Sequence, residues 1–213
     1  MGNLVFIGGG GFFLELYDYI EHDSSFRQNY TIKGVLDDVK TQKDFALPHL
    51  GGTADYVLAP EDVFLVTLGN PLHREKLYKE FKQRGARFVT YIHPLAHVAK
   101  TAFIDEGTII APYSIVNAKA AIKANVAVNV HCSVGHESNL GQSSVLSPYS
   151  AVNGNAVVGE QCFLGTRATV FPKMVLGDKS IVDSHSYVKS HVESKSIVSL
   201  RGEYVVVKNR LMR

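Results

Sequence analysis

The chain has 213 residues, 46% hydrophobic and 20% charged, with a formal net charge of +2. That apolar mass supports one large domain or two small ones, and it excludes a disordered chain; no apolar run approaches the roughly 20 residues that a spanning helix needs. The charge is too balanced to point to nucleic acid, the first basic residue is Arg27, so the basic start of a secretory signal is missing, and two cysteines make no disulfide framework. The expected setting is a reducing cytoplasm, with no membrane and no nucleic acid as partner.

In chain order, residues 4–7 read as a strand, 8–11 as a tight all-glycine loop and 12–22 as a helix. Residues 31–36 and 64–68 read as second and third strands, 71–84 as a second helix, and 87–92 as a further strand. Strands alternating with helices predict a small parallel α/β sheet. A glycine-rich turn between a strand and a helix start presents backbone N–H groups to an anion, typically phosphate. As a dinucleotide fingerprint it is incomplete, because Phe13 stands where the third glycine belongs, which argues against a redox enzyme. The ordinary alternative is a merely tight turn.

From Val98 the pattern changes. Stepping by six, every residue through Val188 is Val, Ile or Leu, and a small residue follows four positions later in most hexads. A helix needs spacings of three and four and a half-buried strand alternates by two, so a strict six fits neither. It fits a coiled β-solenoid in which each hexad supplies one short strand and one corner. The residue after the aliphatic is often Gly, Asn or Asp (Asn117, Asn129, Gly135, Gly141, Asn153, Gly159), which predicts tight turns of positive φ there. The division falls near His93: an α/β domain over 1–92 with net charge −2, and a solenoid over 93–213 with net charge +4.

The period resembles that of the hexapeptide-repeat, left-handed parallel β-helix family, which implies three hexads per 18-residue coil. Together with the Gly8–Gly11 loop, Asp37-Asp38-Val39-Lys40 after the second strand, and Leu68-Gly69-Asn70 with Arg74 after the third, it resembles the bacterial nucleotide-sugar acyltransferases of the sialic-acid O-acetyltransferase and bacillosamine N-acetyltransferase type. The resemblance implies a Rossmann-like domain holding a UDP-, dTDP- or GDP-linked amino sugar, with Gly8, Gly10, Gly11 and Phe12 at the phosphates, and Asp37, Asp38, Lys40, Gly69, Asn70 and Arg74 as further substrate contacts. Phe12 stands where a His is common, and Pro71 where a polar residue is.

In Val134-Gly135-His136-Glu137, His136 follows an inward aliphatic by two residues, at a turn and pointing outward. The resemblance makes it the general base, Glu137 its orienting partner, and Gly154, one coil of 18 below, an oxyanion donor. A neutral imidazole suits removal of a proton from an attacking amine. The family's second His, nine residues on, is Val145 here, and His131 and Tyr149 are the nearest substitutes. His131, Tyr149, Arg167 and His185 are spaced by 18 and should stack. Further site candidates are Asn129 and His131 for substrate and Gly154, Gly165, Thr166, Arg167 and Ser184 for acetyl-CoA, bound between subunits of a homotrimer. The family's Gly-x-Pro-Ala ending is absent, with 201–204 near its place.

The expected reaction is acetyl transfer from acetyl-CoA to the amine of a nucleotide-linked 4-amino-4,6-dideoxy sugar in bacterial surface-glycan synthesis. O-acetylation of sialic acid or another hydroxyl is the alternative, and a non-catalytic nucleotide-binding scaffold is a third reading. Metal is not expected: His131 and His136 are five apart, as in zinc-binding hexapeptide proteins, but their phase within the hexad differs from that pattern, and an open zinc site needs a third His.

Overall fold

The computed structural model describes residues 1–44, 46–200 and 202. Expectations that fall on Arg201, Glu203 and Tyr204 lie outside the described residues.

Strand β1 (Gly2–Ile7) leads through the glycines into α1 (Gly11–His22), a short α2 (Ser24–Arg27) and β2 (Tyr30–Leu36); β3 (Asp62–Val66) leads into α3 (Pro71–Gln83) and β4 (Arg87–Phe88). The sheet order is β2-β1-β3-β4, all parallel. Leu4, Val5, Phe6 and Ile7 are all fully buried, as a strand covered on both faces requires. Helix α1 covers one face with Phe13, Leu16 and Ile20, and α3 covers the other with Tyr78 and Phe81. The β3 terminus carries a buried carboxylate. Asp62 accepts from Lys33 Nζ at 2.8 Å, Tyr56 Oη at 2.7 Å and Ala59 N at 2.9 Å. Burial raises its pKa, but the hydrogen bonds from Lys33, Tyr56 and Ala59 outweigh that and hold it below the usual carboxylate range. A depressed carboxylate contributes stability that is present above its unfolded pKa of about 3.9 and lost as pH falls through the folded value. Asp62→Asn should therefore be less stable than wild type at pH 7, and the two urea midpoints should draw together as pH falls below the unfolded value of about 3.9; a gap that does not narrow there refutes the assignment.

The expected strand over 87–92 is two strands in two different sheets. Arg87–Phe88 extends the α/β sheet, whereas Tyr91–Ile92 pairs with Ile109–Ile110 and is already the first rung of the solenoid. From there strands pair at intervals of 18 residues. Among the described residues they form three faces of seven, six and five strands; the first face holds Tyr91–Ile92 and its repeats, the second His97–Val98 and the third Phe103–Ile104. The aliphatics of the six-residue step fill the interior, and serines in the small slots bridge corners, as where Ser114 Oγ donates to Asn129 O at 2.6 Å.

Two details differ from the sequence reading. Positive φ falls on the third residue after the aliphatic, at Tyr113, Lys119, Asn125, His131, Glu137 and onward every six residues, and not on the first. The corner glycines answer to a different demand, close stacking: a Cβ on Gly135 would lie 2.5 Å from Gly154 N, and one on Gly141 would overlap the Gly159 carbonyl carbon. The last coil is also two residues short, because Val192 bridges Leu176 and Ile197–Val198 pairs with Ile181–Val182, each 16 residues apart.

The two parts are joined by a buried polar seam. Arg74 is fully buried; its Nε donates to Asn125 O at 2.6 Å, and Asn125 Nδ2 donates back to Arg74 O at 3.2 Å. Glu75 accepts from Ser143 Oγ at 2.7 Å, from Gln142 Nε2, and from Lys79 at 2.6 Å. No helix among the described residues is long and apolar enough to cross a membrane.

Candidate active site

The edge between the second and third faces carries His136. Its side chain is 62% exposed, and Nδ1 lies 3.2 Å from Glu137 Oε2. A carboxylate only accepts, so in the neutral ring Nδ1 holds the proton and Nε2 carries the lone pair. Glu137 adopts φ +56°, which turns its carboxylate back along the edge toward the ring. Hydrogen bonding to His136 and the charge of Lys119, 3.7 Å away on the coil above, hold Glu137 below the usual carboxylate range.

Gly154 stacks directly beneath. A Cβ built on it would stand 2.5 Å from His136 Nε2, so glycine is what lets the imidazole lie over this corner. Among the described residues the Gly154 N–H has no backbone acceptor, while Asn155 N–H donates to His136 O at 2.9 Å and fixes the two coils in register. The open N–H is common to such corners, since that of His136 lacks a backbone acceptor too; what distinguishes Gly154 is the ring above it. Gly154→Ala should displace Nε2 and lower kcat by about a hundredfold with Tm little changed, because misplacing a reacting group by about 1 Å costs that much in rate. Thiol release and a thermal melt check it.

A second centre sits at the C-terminal ends of β1, β2 and β3, where the strand order reverses. A cavity of about 310 Å³ is lined by Gly8, Asp37, Asp38, Thr53, Leu68, His73 and Lys76, among others. Gly8 has φ +100° and Leu68 packs where its side chain would be, so the turn requires glycine. Asp37 Oδ2 accepts from Gly9 N at 2.7 Å, and its Oδ1 accepts from Val39 and Lys40 N. Burial raises the Asp37 pKa, but these backbone bonds and the Lys40 charge hold it low. Lys40 Nζ donates to Gly9 O at 2.6 Å, and Asp38 accepts from both N and Oγ1 of Thr53. Asp37, Asp38 and Lys40 thus shape the loops around the cavity. Phe12 is half-buried against the α1 core, and Gly10 caps α1 without a side-chain bond, leaving that helix start open.

Arg74 is a correction. Its place beside the Gly69-Asn70 turn suggests a substrate contact, but it is fully buried, its Nη1 donates to Val66 O and Leu68 O, and its Nε crosses to the solenoid. Burial pushes its pKa down to about 9, still protonated at neutral pH. Asn70 is likewise engaged, capping α3 through Oδ1 to Leu72 N and His73 N. Gly69 and Asn70 line a second cleft of about 520 Å³, against Phe163, Lys179 and Ile181 of the solenoid.

The remaining candidates lie on another edge, between the first and second faces. Tyr113, His131 and Tyr149 stack at 4.9 and 4.7 Å, and the Arg167 guanidinium covers Tyr149 at 4.8 Å. Asn129, Gly165, Thr166 and Ser184 share that edge. One chain does not bring them to His136, which lies five residues from His131 along an extended strand, on the order of 15 Å. Among the described residues no group of three His, Cys, Asp or Glu side chains is arranged to hold a metal. Cys132 and Cys162 are buried free thiols whose pKa values burial raises, Cys162 to about 11.

A short parallel α/β domain with a glycine turn thus leads into a left-handed β-helix, which carries the His136–Glu137 pair over the Gly154 corner. Residues 3–81 match the PglD N-terminal domain, and the resemblance to bacillosamine-pathway acyltransferases read from the sequence is borne out. A 115-residue stretch is 33% identical to the UDP-N-acetylbacillosamine N-acetyltransferase of Bacillus subtilis (strain 168), covering 52% of this chain and 51% of that protein, so the chain spans about half the length of the curated relative it matches. PerB from Caulobacter crescentus, solved with CoA and GDP-perosamine, superposes with TM-score 0.82 at 25% identity over 95% of this chain and 98% of that one. The acetyltransferase domain of PglB from Neisseria gonorrhoeae FA1090 shares the fold, with TM-score 0.81 at 22% identity over 90% and 93%.

Proposed function

We infer that the protein is an acetyl-CoA-dependent N-acetyltransferase acting on the amine of a nucleotide-linked amino sugar, a 4-amino-4,6-dideoxy sugar, in bacterial surface-glycan synthesis. The observation that carries the reading is the stacking of the His136 imidazole on Gly154, which puts a free Nε2 lone pair beside an uncovered N–H. In the proposed step the amine nitrogen attacks the thioester carbonyl and His136 Nε2 takes the proton that the amine sheds. Gly154 N–H donates to the developing oxyanion, the carbonyl re-forms as the C–S bond breaks, and His136 Nε2 returns the proton to the thiolate, which leaves as coenzyme A. Glu137 holds the imidazole in the tautomer this requires. The solved relative bound to CoA and GDP-perosamine supports the substrate classes. Because His136 and the nucleotide cavity lie on different parts of one chain, the reading includes a homotrimer in which a neighbouring copy supplies the base. The test is thiol release from acetyl-CoA with a panel of UDP-, dTDP- and GDP-linked 4-amino sugars, with sialic acid as the hydroxyl arm. Turnover of one amino sugar is expected; turnover of none, or of sialic acid alone, overturns the reading.

A further inference from the structure

The cavity at the strand ends poses a charge problem. If it holds the nucleotide, as the proposed function requires and this inference assumes, a diphosphate must enter a space walled by two carboxylates, Asp37 and Asp38. Their oxygens accept local N–H and O–H groups, which reduces their repulsion without supplying positive charge. The first turn of α1, at Gly11, Phe12 and Phe13, carries no basic residue, Lys40 is tied to the Gly9 carbonyl, and Arg74 is sealed in the domain seam. The basic side chains on the cavity wall come from α3. His73 and Lys76 are three residues apart, hence neighbours on one helix face, and both line the cavity that Gly8 lines. Lys76 is also shared with an adjoining cavity lined by Asp38, Thr53 and Arg84, so it stands where the two open into one groove. Its side chain is 69% exposed, and among the described residues its ammonium makes one ion-pair contact, at 3.8 Å with exposed Glu80, an arrangement that leaves it free to turn inward.

We propose that His73 and Lys76 form the cationic wall of the nucleotide pocket and donate to the diphosphate from α3, opposite the Gly8–Gly10 turn. Lys76 supplies charge and His73 a directed N–H. Arg84 does not share this task, because it is spent on the carbonyls of Thr53 and Tyr56, where it braces the loop that holds Asp38.

Calorimetric titration of the full chain with UDP, dTDP and GDP tests this for wild type, Lys76→Met, Lys76→Arg, His73→Leu and, as a remote control, Lys195→Met. The expected result is affinity for one nucleotide that falls about tenfold or more in Lys76→Met and His73→Leu, since each removes a donor to the charged diphosphate and charge-assisted bonds are among the stronger ones. Lys76→Arg should keep most of it and Lys195→Met all of it. Added salt should weaken wild type more than Lys76→Met. The KM for acetyl-CoA should not move, which a general structural defect would not spare. If wild type binds a nucleotide and both α3 variants bind it equally well, the proposal is overturned while the nucleotide reading stands. If wild type acetylates an amino sugar yet binds none of the three nucleotides, the nucleotide reading is overturned and this proposal with it.

Discussion

His136→Ala should lower kcat by about three orders of magnitude, within the 10²–10⁴ that positioned acid–base groups contribute, and leave both KM values within a few fold. The side chain is well exposed and contributes little to the fold, so thermal melts of mutant and wild type should overlay. That separation makes the test clean, because a loss of activity cannot then be assigned to unfolding. Glu137→Gln should fall between the two: the amide oxygen can still accept from Nδ1, but the negative charge that stabilises the imidazolium is gone. Thiol release at saturating acetyl-CoA checks both. A His136→Ala protein of undiminished kcat would remove the base from the mechanism and with it the meaning of Gly154.

The solenoid and the edge that carries His136 are legible in the amino-acid sequence. The six-residue step sets the interior because each inward position must be an aliphatic that meets its counterparts on the coils above and below; one polar intrusion would be costly, so the pattern is strict. The same arithmetic brings Gly154 under His136. Positive φ is not legible, because composition hides it. Residues at the positive-φ position are chemically varied, exposed Tyr, Lys, His, Glu and Arg as well as the buried Asn125 and Ser143, while corner glycines such as Gly135 and Gly141 stand where neighbouring backbones nearly touch. Which edge meets which pocket is not in the period at all, since six-residue spacing repeats identically around the prism and the α/β domain is seated by aperiodic residues such as Glu75 and Gln142.

Arg74 is the instructive miss, and it carries the second large prediction. Read as one basic residue beside a Gly-Asn turn it suggests a phosphate ligand, but on α3 it shares a stripe with Tyr78 and Phe81 at intervals of four and three, the face that turns to the core. His73 and Lys76 flank that stripe and reach the cavity instead. Arg74→Met would strip the donors from the carbonyls of Val66, Leu68 and Asn125 at once, and the Asn125 bond is the one that crosses to the solenoid. Leaving a buried acceptor without a donor costs about 1–3 kcal/mol. Here Nη2 already lacks a partner, so methionine also removes an unpaired buried amino group, and the low end for three carbonyls, about 3 kcal/mol in all, is the expectation. Urea unfolding should show that loss, with the α/β domain melting ahead of the solenoid, because the solenoid keeps its own continuous column of buried aliphatics while the smaller sheet loses its anchor. Nucleotide affinity in the folded fraction should be unchanged. An Arg74→Met protein that is stable but blind to nucleotide would instead return Arg74 to the substrate and displace the α3 wall.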